Sequence, residues 1–70
     1  MAREEPFTVE AVYLTETEKA VLVDVAGDEA WVPLSQIEEG SQICGGCGFY
    51  RGDVGELVVA RWLARKRGWE

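Results

Sequence analysis

Alternate positions are apolar at the start of the chain. Phe7, Val9, Ala11 and Tyr13 fall on one side of an extended backbone, with Thr8 and Glu10 on the other. A period of two marks a half-buried strand, and the pattern predicts one over Phe7–Thr15. Val12 and Leu14 break the alternation, so this strand is expected to bend, or to be covered on both faces, near its end. Residues 15–19 (TETEK) form a polar connection. A valine-rich run, Ala20–Ala26, reads as a second strand. Gly27-Asp28 then reads as a two-residue hairpin turn, because glycine accepts the positive φ such turns require. That turn sets a register: Ala26 faces Glu29, Val25 faces Ala30, Val23 faces Val32 and Val21 faces Leu34. On the opposite face Asp24 meets Trp31 and Leu22 meets Pro33. Val21, Val23, Val25, Val32 and Leu34 are therefore expected to be buried together, and a slip of one residue would scramble the sorting. Pro33 has no ladder donor, which puts its strand at an edge or at its own end.

Residues 35–39 (SQIEE) follow the third strand, and Gly40–Gly55 reads as a glycine-rich loop. A loop of this length in a small domain is usually functional or mobile. The last segment has two readings. In one, Glu56–Ala60 is a strand and Arg61–Arg67 a short helix. In the other, Asp53 caps a longer helix with Glu56 as its reciprocal partner. Val58 and Val59 favour the strand, since β-branched residues lose rotamer freedom in a helix. Either way Gly68 suits a left-handed cap, with Trp69 folding back onto Leu63 or Ala64. The expected fold is mainly β: three to four strands in a small curled sheet or barrel-like roll, closed by one short C-terminal α-helix. The chain of 70 residues reads as a single domain; a domain of this size buries only about 60% of the surface its unfolded chain exposes.

Composition adds two constraints. At 47% hydrophobic, with three Trp, the chain has the material for an ordinary folded domain. No apolar run approaches the length of a bilayer span, and the first residues lack the pattern of a signal peptide, so the cytoplasm is the expected location and no membrane partner is expected. The absence of Asn and His, with Arg in excess of Lys, points to a thermophilic host or merely to a GC-rich genome. The net charge of −6 is unevenly spread: residues 1–60 carry three basic and twelve acidic side chains, whereas residues 61–70 carry four basic and one acidic. The body would repel nucleic acid, and only the final segment would meet phosphate.

Three features invite a functional reading. Cys44 and Cys47, the only cysteines, lie in a C-x-x-C-G loop crowded by glycine. Zinc takes four tetrahedral ligands, and this loop supplies two. A complete site would need the same pair from a second chain in a homodimer, or less typically Asp53, Glu38 or Glu39. A redox disulfide and an incidental pair of free thiols are the alternatives. Trp31, on the face opposite the apolar stripe, would be an exposed anchor for a protein partner, or would lie with Leu22 in a second small core under the helix. Arg61, Trp62, Arg65, Lys66 and Arg67 resemble a small patch for single-stranded nucleic acid, where stacking and phosphate contacts combine. The simpler reading has the cations complementing the helix dipole and the tryptophans packing inward. Ser35 and Ser41 have no histidine to activate them, so no enzyme activity is expected.

Two stretches, Trp31–Ile37 (WVPLSQI) and Gly55–Trp69 (GELVVARWLARKRGW), resemble a group of very small bacterial and phage proteins. These carry a W-[IV]-P-x-S-Q-I strand and a final strand followed by W-L-A-x-[KR]-x-G. The resemblance covers about half the chain. It implies a small β-domain with a terminal helix, often encoded among nucleic-acid-handling genes of mobile elements, and no established activity. The group often has Pro where Ala60 stands, and Cys44 and Cys47 fall in its variable part. Taken together, the expectation is a non-catalytic binding or regulatory module for a protein partner, without a cofactor. The alternatives are a nucleic-acid accessory protein using the basic helix and a metal or redox protein using the cysteine loop.

Overall fold

The computed structural model describes residues 5–46 and 48–70. It is mainly β, with four strands and one short helix: β1 (Phe7–Glu16), β2 (Ala20–Val25), β3 (Asp28–Pro33), β4 (Val54–Val59) and α1 (Arg61–Arg67). The strands form one antiparallel, curled and unclosed sheet in the order β3-β2-β1-β4. β1 is long enough to serve as the centre, pairing with β4 along its first half and with β2 along its second. A bulge between Tyr13 and Thr15 interrupts the β1–β2 ladder, at the point where Val12 and Leu14 break the sequence alternation. The extra residue bends β1 there and raises the local twist.

The hairpin differs from its expected register by two residues. Ala26-Gly27, not Gly27-Asp28, forms the turn, and Val25 faces Asp28, Val23 faces Ala30, Val21 faces Val32 and Leu22 faces Trp31. Both turn residues have positive φ, 53° at Ala26 and 88° at Gly27, which is the two-residue turn whose twist matches the flanking strands. Asp24 stabilises it by accepting the Gly27 N–H through Oδ1 at 2.8 Å. A shift of two preserves every residue's face, so Val21, Val23, Val25 and Val32 are still buried together. Leu34 instead enters a 3-10 turn (Leu34–Gln36) and packs, partly buried, against the core. Pro33 ends β3, an edge strand.

The glycine-rich segment is a structural wall. Ile37 bridges to Val59, and Glu38 N–H donates to the Val58 carbonyl at 2.8 Å. Gln42 and Ile43 N–H both donate to the Glu56 carbonyl, at 2.9 and 3.1 Å. The chain thus runs along the outer edge of β4, and Ile43 drops fully buried into the core. Ser41 Oγ donates to the Ile43 carbonyl at 2.6 Å and accepts the Val58 N–H at 3.1 Å. Phe49 sits tilted against Tyr13, ring centroids 6.0 Å apart, directly over Gly55. A Cβ at 55 would lie 2.7 Å from the Phe49 ring, which is why β4 carries a glycine there.

β4 begins at Val54, two residues before the expected start, and α1 has the expected bounds. The Asp53 capping box does not form. Asp53 Oδ2 accepts the Tyr50 N–H at 2.8 Å instead, and the 50–53 turn hydrogen-bonds to Tyr13. At the helix end Gly68 is left-handed (φ 78°), its N–H bonding the Arg65 carbonyl and the Trp69 N–H bonding the Ala64 carbonyl, a Schellman cap. Trp69 then packs against the core beside which Leu63 and Ala64 are buried. No helix among the described residues is long and apolar enough to cross a membrane.

Candidate functional site

The sheet has one covered face and one open face. Ala11, Tyr13, Val21, Val23, Val25, Ala30, Val32, Leu57 and Val59 point to the covered side, with Ile43, Leu63 and Ala64 packed on them. The helix therefore lies over the valine face. The alternative in which it covers Trp31 and Leu22 as a second core is corrected: Trp31 is 50% exposed. The reason is amphipathic. α1 has only Leu63 and Ala64 on its buried stripe, and the valine face offers more apolar surface to bury than Leu22 and Trp31 do.

On the open face Leu22 lies directly opposite Trp31, and Val12 directly opposite Val54. Val54 is 57% exposed. Between and beside these apolar pairs stand two acidic ones, Glu10 opposite Glu56 and Asp24 opposite Glu29. Thr8, Thr15, Ala20, Pro33 and Val58 complete the face, and none of its residues is basic. The phase of Trp31 in β3 put it opposite the apolar stripe, and of its two readings the exposed position is the one observed. The placement of Val12, Val54, Glu10 and Glu56 on the same face was not legible, because their juxtaposition depends on the β1–β4 register, which no turn signal sets.

The basic helix presents a different surface. Arg61 would be unfavourable at the positive end of a helix. It is held by Glu70 Oε2 at 3.0 Å, by the Glu5 carbonyl at 2.9 Å and over the Phe7 ring at 5.5 Å. Arg65 pairs with Glu70 at 3.4 Å. Arg67 reaches Asp28 Oδ2 at 3.4 Å, an oxygen that also accepts the Trp69 indole N–H at 3.3 Å. Three of the four cations of the helix are thus engaged by carboxylates of the same chain. Trp62 is 50% exposed, and the expectation that it packs inward is corrected: it falls on the helix side away from Leu63 and Ala64. A groove of about 460 Å³ lies between the hairpin tip and the end of α1, lined by Val9, Val25, Asp28, Lys66, Arg67 and Trp69. Its carboxylate, Asp28, is already bound by Arg67 and Trp69.

Cys44 follows the buried Ile43 and is itself half-buried; Cys47 lies outside the described residues. Among the described residues, no three His, Cys, Asp or Glu side chains come together as metal ligands. Asp53 is turned to the Tyr50 amide, as above. Ser41 bridges the loop to β4, a structural task.

Comparison with protein-family models, with curated proteins and with solved structures gives no match to this chain.

Proposed function

We propose that this protein is a small non-catalytic binding module that docks a protein partner on the open face of its sheet. The observation that carries the proposal is Trp31: a large aromatic, half exposed on the edge strand β3, on a face that no element among the described residues covers. Tryptophan is enriched at binding hot spots because it supplies large contact area with few rotatable bonds. The face is built on a four-stranded sheet with β1 between β2 and β4 and the 37–43 segment hydrogen-bonded along the far edge of β4. The resemblance of the Trp31–Ile37 and Gly55–Trp69 stretches to small bacterial and phage proteins supports a regulatory partner encoded by, or encountered by, a mobile element.

A nucleic-acid reading draws on the exposed Trp62 beside Arg61, Arg65, Lys66 and Arg67. It is the weaker one, since phosphate would compete with Glu70 and Asp28 for the arginines. The test is photo-crosslinking in cells from a photoreactive residue at position 31 or, in a second variant, at position 66. A discrete protein adduct from position 31, absent from position 66, is expected, followed by binding of the purified partner. Nucleic-acid adducts from position 66 and none from position 31 would overturn the proposal.

A further inference from the structure

The open face carries two like-charge cross-strand pairs. Glu10 stands opposite Glu56, and Asp24 opposite Glu29. Carboxylates directly opposite in an antiparallel pair repel and weaken the sheet. Among the described residues, no lysine or arginine lies on the open face beside either pair; Arg67, from the covered side, donates to the Glu29 carbonyl at 3.4 Å. The same face exposes Trp31 and Val54. A surface that retains both self-repulsion and uncovered apolar area is complementary to something that supplies cations and apolar side chains together. We infer that the partner presents a basic amphipathic helix, its apolar stripe on Leu22, Trp31, Val12 and Val54 and its lysines or arginines between the paired carboxylates. This rests on the docking face proposed above and names the chemistry it recognises.

The geometry fits that occupant. The two acidic pairs are separated by two strand spacings in one direction and one two-residue step in the other, roughly 12 Å in all. Cations two helical turns apart are about 11 Å apart. A second copy of this chain on the same face would bring four carboxylates against four, and nucleic acid would bring phosphate against them. Both are disfavoured by charge.

The test uses an amphipathic peptide of leucine and lysine, with a leucine–glutamine peptide of the same pattern as its neutral counterpart. Each is titrated into the intact protein and followed by amide and indole NMR shifts. The leucine–lysine peptide is expected to shift Trp31, Leu22 and Val54, and to bind at least tenfold more weakly to E10Q/E29Q. It should bind within twofold of the parent to E18Q/E39Q, which removes the same charge elsewhere. The E10Q/E29Q protein alone should melt at or above the parent temperature, since repulsion is relieved. Equal weakening in both double variants would overturn the inference. If the neutral peptide binds equally well and still maps to Trp31, the cationic partner is wrong while the docking face stands. Shifts confined to α1 would overturn both.

Discussion

Ile43→Ala is expected to be among the most damaging changes in the chain, although Ile43 lies in a segment whose six glycines suggest an open loop. Ile43 is fully buried. Its backbone N–H is bonded to the Glu56 carbonyl, so the side chain cannot swing out without opening the β4 edge. The substitution removes three carbons, about 2.4 kcal/mol of transfer free energy at ~0.8 per methylene. A residual cavity adds to that, for a total of about 3–4 kcal/mol. In a domain of this size each kcal/mol moves the midpoint by roughly 4–8 °C, so a fall of about 15–25 °C is expected in a thermal melt followed by circular dichroism. Ile43→Val should cost about 1 kcal/mol and fall between the two. A melt of Ile43→Ala within about 4 °C of the parent, the range of a surface substitution, would show that the segment is not part of the core.

Ala26→Asn should stabilise the hairpin, because Ala26 is the only described non-glycine residue with positive φ and asparagine tolerates that region better. A gain of about 0.5–1 kcal/mol, a rise of a few degrees in melting, is expected, and a fall would mean the turn is not formed by Ala26-Gly27. The parent should show no salt-sensitive retention on single-stranded DNA, so a triple change of Arg61, Arg65 and Arg67 to Ala should leave elution unchanged. Tight retention that weakens as salt rises would favour the nucleic-acid reading. For the cysteines, a zinc site shared between two chains would appear as about one zinc per two chains in a dimer that Cys44→Ser dissociates. We expect a metal-free protein in which Cys44→Ser with Cys47→Ser melts close to the parent, and stoichiometric zinc after gel filtration would contradict this.

The elements of this fold are legible wherever a short-range pattern fixes them. The alternation through Phe7–Tyr13, the valines of β2 and the Gly68 stop each define a structure by themselves. The hairpin register was displaced by two residues because Gly27-Asp28 and Ala26-Gly27 both satisfy the same turn signal. The choice of Ala26-Gly27 lets Asp24 reach the Gly27 amide. What sequence could not show is long-range. Ile43 reads as an isolated apolar residue among glycines until the 37–43 segment is laid against β4. Glu10 and Glu56, 46 positions apart in the chain, read as ordinary exposed carboxylates until the β1–β4 register sets them opposite one another. The open face was half visible, through the phase of Trp31, and its acidic character was not.

The most direct test of a docking role for the open sheet face is the affinity of the crosslinked, purified partner for the parent and for Trp31→Ala, measured by titration calorimetry. Trp31 is half exposed, so its loss should change melting by no more than a few degrees. A hot-spot residue contributes about 2 kcal/mol or more, so the affinity should fall by about 30-fold. An unchanged affinity in a variant that melts like the parent would place the binding surface elsewhere and contradict the account.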